Sequence, residues 1–500
     1  MSQFDEGWRS ARSRARLQGP RTTPGHAARA PAARPAVPQF HATPMAVPSE
    51  TAPAAAPRGL WATVRALVGS TSWSLMLVGF IAYIFIVTTY RIPGGNVAMA
   101  VALVGLLFKR EPLRVPPTLL WLAAFFIWGA LGYMTTQHPD VVADRLIALG
   151  KLWLVALVAA NALRTRGQIR FYMVFFLGCF ALFPLRGALV NYFVAGYTTF
   201  GRALWNYIYS NPNDLAALAM LQLSMAAALF MTEPKGWIKR AAMLGMLLLP
   251  LLILLTQSRS AFLATAVVTV AAVLSHRRRG RAMLVAGAAA LLLVAVSPGG
   301  VWKRVKGLTN VTSVETQESA VDEEGSAFQR FQILKVARRM IADHPINGVG
   351  LGAYPLEHQA YVRGGGFHQT ARGKRDTHNT YLNVAAETGL PGLALFLAAL
   401  GSALIPAERA RRLAKHRLPW AATQLYYLEL GLVAFLLGGI FGSYAHLSFT
   451  YLHLVLLAVI TAATRRELQT LAVPPAAAAA ARTRRGAAAG ARGALPAPAR

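Results

Sequence analysis

Arg259 interrupts the apolar run from Ala241 to Leu274, within "LLILLTQSRSAFLATAVV", and has no acidic neighbour in sequence. A guanidinium near hydrocarbon costs about 2.5–3.5 kcal/mol even on the lenient insertion scale. It is tolerated if its stem lets the charge reach the interface, or if an anion binds it. The run is too long for one membrane span, so it reads as a hairpin with "QSRS" at its tip. Arg202, in "TTFGRALWNYIYSNPNDLAALAM", approaches the same level from a polar, aromatic segment. There Asn211 and Pro212 set a turn, and Asn213 or Asp214 can cap the following helix. Arg186, in "LFPLRGALV", is a third cation at that level, with packing or snorkelling as its simpler reading. Arginine forks bind phosphate through paired hydrogen bonds and keep their charge, so a lipid with a phosphate or pyrophosphate head would supply the missing anion. His378, in "DTHNTYLNVAAETGLPG", titrates near neutrality and can take or give a proton. It is equally suited to a capping cluster with Asp376, Thr377 and Asn379. Asn379, Asn383 and Glu387 recur every four residues on one helix face. They either line the site of an incoming group or form a wet helix edge.

The elements that must position these side chains are membrane helices. The sequence is 55% hydrophobic and only 14% charged, where a soluble chain carries about 25% charged residues. Its apolar residues gather in runs of roughly 15–20, the length that crosses about 30 Å of hydrocarbon. They do not alternate with polar residues as barrel strands would. The expected fold is therefore all-α: a polytopic membrane protein with about twelve transmembrane helices. The runs are approximately 72–90, 96–108, 117–134, 146–163, 171–190, 214–231, 241–256, 260–275, 282–297, 390–405, 424–445 and 449–463.

Residues 1–70 read as a disordered basic tail, 71–297 as spans one to nine, and 298–389 as one large loop. Residues 390–464 carry the last three spans, and 465–500 form a second disordered tail. Tails rich in Ala, Pro and Arg cannot bury a core, and the first has no apolar stretch like that of a cleaved signal. The clusters "KREPLR", "RTRGQIR", "EPKGWIKR", "HRRRGR" and "ERARRLAKHR" all follow even-numbered spans. That pattern places them, and both termini, in the cytoplasm. The large loop faces outward; it holds the acidic "ETQESAVDEE", an amphipathic "FQRFQILKVARRMIADHP" and the Gly-rich "INGVGLGAY". A loop of that length with its own periodic segment carries function.

The net charge of +31 does not point to nucleic acid, because the basic residues lie in short loops and tails rather than on a folded soluble face. The single cysteine, Cys179, cannot form an internal disulfide, and no Cys/His spacing suits zinc. No metal or cofactor is expected.

Four motifs together resemble the O-antigen ligase and O-antigen polymerase superfamily of bacterial inner-membrane glycosyltransferases. They are "RSAFL" (Arg259 to Leu263); "HN" and, nine residues on, "GLPG" (His378, Asn379, Gly389, Gly392); "GR" about ten residues before "NPN"; and "HPINGVGLGAY". With the span layout and the large periplasmic loop, the resemblance covers roughly residues 70–465. It implies transfer of a glycan from an undecaprenyl-pyrophosphate carrier to a hydroxyl on a lipid, glycan or protein acceptor, at the periplasmic face of the inner membrane. It also implies that Arg202 and Arg259, with Arg186 as a further candidate, contact the pyrophosphate, and that His378 activates the acceptor. A polymerase of the same superfamily is the nearest alternative. A flippase or transporter of lipid-linked glycans is the alternative of another class, and it should place charges deep in several spans rather than at one face.

Overall fold

The computed structural model describes residues 59–89, 93–109, 111–276, 278–296 and 327–472. The expected acidic stretch at 315–324, residues 1–58 and residues 473–500 lie outside them. Among the described residues the elements are helices: α1 (Leu60–Gly69), α2 (Leu75–Thr89), α3 (Gly95–Leu107), α4 (Pro117–Leu131), α5 (Pro139–Ala162), α6 (Arg166–Phe180), α7 (Arg186–Phe193), α8 (Pro212–Thr232), α9 (Trp237–Leu255), α10 (Arg259–Ser275), α11 (Arg279–Val296), α12 (Ala327–Asp343), α13 (Tyr354–Arg363), α14 (Thr380–Ala414), α15 (Pro419–Gly438) and α16 (Ser448–Ala472). A π-helical turn containing Pro184 joins α6 to α7.

Each apolar run coincides with a helix, but helix length alone does not establish twelve crossings. Seven described segments are long and apolar enough to cross a membrane: 117–134, 166–193, 212–232, 237–255, 380–414, 419–438 and 448–472. At 1.5 Å per residue, a 13-residue helix such as α3 extends about 20 Å, short of the roughly 30 Å of hydrocarbon. Several expected boundaries also move. Residues 60–69 are helical rather than part of the tail, and α16 runs past residue 464 to Ala472. The run expected to end near residue 445 stops at Gly438, and residues 439–447 turn back on the bundle.

Bonds between loops sort into two groups. In the first, Arg164 pairs with Glu111, Arg170 with Glu233 at 2.6 Å, and Arg411 with Glu429 at 3.2 Å. Lys109 Nζ donates to Asn161 Oδ1 at 2.9 Å in the same group. In the second, Thr136 Oγ1 donates to Val349 O at 2.8 Å, Arg202 Nε to Thr256 O at 2.7 Å, and Thr380 Oγ1 to Gly442 O at 2.6 Å. The segments carrying Lys109, Arg164 and Glu233, with Arg465 and Arg466, which bond Pro406 O and Arg164 O, thus share one end of the bundle. The segments bearing Arg202, Arg259 and His378 share the other.

The "GLPG" break and the "HPINGVGLGAY" segment turn out to be one device. Gly389 has φ 71° and ψ 179° inside α14, a combination essentially confined to glycine. The break releases helical carbonyls, and each must find a donor. Val349 N–H bonds Ala386 O at 2.9 Å and Gly350 N–H bonds Glu387 O at 3.0 Å. The Trp128 indole reaches Thr388 O at 2.8 Å. Gly348, at φ 67°, lies so close that a Cβ there would strike the Glu387 and Thr388 backbone, and one on Gly389 would strike Ile346 O. Gly389→Ala is therefore expected to cost more than the roughly 1–3 kcal/mol of backbone strain alone. It should show as a lowered unfolding midpoint in detergent.

Candidate active site

Three segments meet at the end of the bundle opposite the basic loops. The first is the tip of the α9–α10 hairpin, Thr256 to Ser260. The second is the loop before α8, where Gly201 at φ 74° lets the chain double back so that Thr199 and Arg202 pair. Arg202 is only 1% exposed; its Nε donates to Thr256 O at 2.7 Å, and its Nη2 to Asn213 Oδ1 at 2.7 Å. Ala203 N–H adds a bond to Leu255 O at 2.9 Å. Arg202 thereby ties the loop to both the hairpin tip and the start of α8. Asn211, not Asn213 or Asp214, is the cap of α8, and its side chain accepts from Asn213 N–H at 2.8 Å. Arg202→Met should leave the buried Thr256 carbonyl without its donor, at about 1–3 kcal/mol, and strip the part-buried Asn213 of a partner as well. A lowered unfolding midpoint in detergent would register that loss.

The third segment is "DTHNT", seated on the 439–447 turn. Thr380 N–H donates to Gly439 O at 2.7 Å, and Thr380 Oγ1 accepts from Tyr444 N–H at 2.9 Å. Asn379 caps α14, accepting from Tyr381 and Leu382 N–H at 3.0 and 2.9 Å, while its Nδ2 reaches Ile440 O at 2.9 Å. Asp376 accepts from Thr377 N–H at 2.7 Å and Ser443 Oγ at 2.8 Å. Tyr444 closes the circuit to the hairpin, its hydroxyl 3.5 Å from Ser260 Oγ. Arg259 lies next to Ser260 at the first position of α10, half-buried.

His378 stands in the middle of this capping cluster without taking part in it. Asn379, Thr377 and Asp376 carry the hydrogen bonds, whereas the His378 ring makes no hydrogen bond or ion pair among the described residues. Its backbone is left-handed at φ 50°, and its ring is half-buried. Phe200, Tyr207 and Gln257 are the other described non-glycine residues with positive φ, and all lie in the loops at this end. Such strain persists only where the surrounding structure enforces it, and it clusters at functional sites.

Burial pushes the His378 pKa below the ordinary imidazole value, and the Arg330 guanidinium adds to this. Asp376 pulls the other way, and Arg375 lowers it further. The ring is consequently a neutral base at neutral pH. Asp376 also lies within electrostatic reach of Asp214, His446 and Glu387.

The remaining expected residues occupy different settings. Glu387 is buried, with Asn383 Nδ2 3.3 Å from its Oε1. The Gly352 amide donates to it, and Arg145 is in electrostatic reach. It is not a wet helix edge; it anchors the Gly-rich segment to α14. Arg186 is exposed at the start of α7 and makes no hydrogen bond or ion pair among the described residues. Its neighbour Gly187 lies against Trp205, so α7 abuts the Arg202 loop without carrying Arg186 into the cluster. Sequence reasoning passed over Arg330, Arg145, Ser443 and Tyr444. Nothing in the local pattern around them marks them, because folding alone brings Arg330 to His378, Ser443 to Asp376, Tyr444 to Ser260 and Arg145 to Glu387.

Residues 244–397 match the family profile described as O-antigen ligase. That stretch of the chain is similar to the O-antigen ligases. No curated protein matches the chain. The matched stretch runs from within α9 through α10, α11, α12 and α13 into the first part of α14, so it contains Arg259, His378 and the helix break at Gly389. Arg202 and Tyr444, which tie it to the rest of the bundle, lie outside the matched stretch.

Proposed function

We propose that the protein transfers a glycan from an undecaprenyl-pyrophosphate carrier to an acceptor hydroxyl at the periplasmic face of the bacterial inner membrane. What supports this most is the bonded circuit from Arg202 through Thr256, the hairpin tip, Tyr444 and Thr380. It brings guanidinium groups and an unengaged neutral imidazole to one end of a membrane bundle. In this reading the twelve apolar helices cross the bilayer, the basic loops and both termini are cytoplasmic, and the 298–389 loop faces the periplasm.

His378 takes the proton of the acceptor hydroxyl as its oxygen attacks the anomeric carbon. The bond from that carbon to the pyrophosphate oxygen breaks, and the carrier diphosphate departs with the electron pair. Direct displacement inverts the anomeric centre. Charge growing on the leaving oxygen is met by Arg259 at the positive N-terminal end of α10, which favours an anion. Arg202 has two nitrogens committed to the protein; it fixes the hairpin tip and adds its charge from below. Arg186, exposed, is the weakest of the three as a pyrophosphate ligand. Asn379 and Asn383 stand on the helix face beside His378 as the acceptor side of the site, and Glu387 supports them from beneath.

Incubating purified protein with a lipid-pyrophosphate oligosaccharide and candidate acceptors tests the reading. A single transferred glycan is expected. A ladder of carrier-linked chains would make the protein a polymerase of the same superfamily, and unchanged substrate would refute both.

A further inference from the structure

A polar cavity lies at the end of the bundle opposite the candidate active site and takes no part in the chemistry above. It encloses about 180 Å³ between the start of α6, the end of α8, the start of α15 and the last turns of α16. These helices belong to four of the segments long and apolar enough to cross a membrane, so their common end lies at the level of the lipid headgroups. Arg166 and Arg170 line the cavity from α6, Glu233 from the end of α8, Trp420 and Gln424 from α15, and Ile460 from α16.

The charges do not cancel. Glu233 is 7% exposed and is held in bidentate fashion by Arg170, at 2.6 and 2.7 Å, so this acid and this base neutralise each other. Arg166 is left over. Its guanidinium lies 3.9 Å from the Trp420 ring centroid, and it makes no hydrogen bond or ion pair among the described residues. A stacked guanidinium keeps its N–H edge available for an oxyanion. Beside that edge, Gln424 donates to Thr232 Oγ1 at 3.3 Å, and Ile169, Ile460 and Ala463 supply apolar wall. A tryptophan at a helix end is the side chain expected at headgroup depth. The combination of one surplus cation, an aromatic shelf and an apolar wall fits the phosphate and glycerol of a lipid better than a fully hydrated ion.

We propose that this cavity binds the headgroup of an anionic phospholipid, with Arg166 on the phosphate and Trp420 holding Arg166 in place. Basic pockets between membrane helices are suited to such headgroups.

Thermal unfolding of the full-length protein in neutral detergent tests this without requiring turnover. Short-chain phosphatidylglycerol, short-chain phosphatidylcholine and inorganic phosphate are titrated separately. Phosphatidylglycerol should raise the midpoint saturably, while the other two at equal concentration leave it unchanged. Arg166→Ala should raise the half-saturating phosphatidylglycerol concentration about fivefold, the worth of one basic side chain beside an anionic headgroup. Trp420→Leu should weaken binding in the same direction. If Arg166→Ala does not fold, Arg166→Gln, which keeps the stem, replaces it. An equal shift with phosphatidylcholine would show that headgroup charge is irrelevant, and an equal shift with phosphate would show a free-anion site. Either result, or unchanged affinity in the Arg166 variant, overturns the proposal.

Discussion

Replacing His378 with alanine is expected to lower glycan transfer by about 10²–10⁴-fold, the range for loss of a general base, with little change in the unfolding midpoint. The separation follows from the bonding around it. The cap of α14 is made by Asn379, and the seat on the 439–447 turn by Thr380 and Asn379, so deleting the imidazole removes no structural bond. The pH profile carries the sharper test. Burial and Arg330 hold the His378 pKa below its usual value, so the ring loses its basic form only below the ordinary histidine range of about 6.5. Activity should therefore persist through neutral pH and fall as the medium acidifies past that range. Asp376 raises the pKa and Arg330 lowers it. Asp376→Asn should thus move the acid limb to lower pH, and Arg330→Gln should move it higher. Measured kcat/KM against pH for the three variants checks the signs. An acid limb unchanged in His378→Ala would remove the imidazole from the proton transfer.

Much of this arrangement was legible in the sequence, for reasons that differ residue by residue. The helices were readable because apolar runs of membrane length admit few alternatives. The end-to-end sorting of loops was readable because basic residues mark one side. The hairpin tip with Arg259 followed from a run too long for one span. What did not follow were relations made only in three dimensions. "GLPG" and "INGVGLGAY" each looked like local glycine features, yet the second supplies the N–H groups that the first leaves wanting. Arg202 looked like a loop cation, but it is buried and bonded to Thr256 and Asn213. Span ends were misplaced where a helix continues past its apolar run into polar residues, as at 464–472. They were also misplaced where an apolar run leaves the helix, as after Gly438. Hydropathy reports burial in lipid or in protein without distinguishing them. That is why 439–447, apolar but packed on "DTHNT", was read as the end of a span.

Arg259→Ala is expected to reduce kcat by about 10²–10³-fold, the loss typical when a fixed donor to developing charge is removed. KM for the lipid-linked donor should change much less. Pyrophosphate is charged before and after the reaction, but the added charge on its departing oxygen exists only in the transition state. A group placed for that oxygen therefore acts on kcat more than on ground-state binding. The neighbours of Arg259 position it for this: Arg202 pins Thr256, Ser260 meets Tyr444, and α10 begins at Arg259 itself. Arg259→Lys should recover only part of the rate, because an ammonium keeps the charge but lacks the planar fork. Arg202→Met, by contrast, should lower the unfolding midpoint together with activity, since its nitrogens hold the tip. Steady-state kinetics and thermal unfolding on the three variants separate the roles. If Arg259→Ala raised KM with kcat unchanged, the guanidinium would serve donor binding alone. Full activity in Arg259→Ala would leave the leaving group without its proposed partner, and the site would have to be sought elsewhere in the bundle.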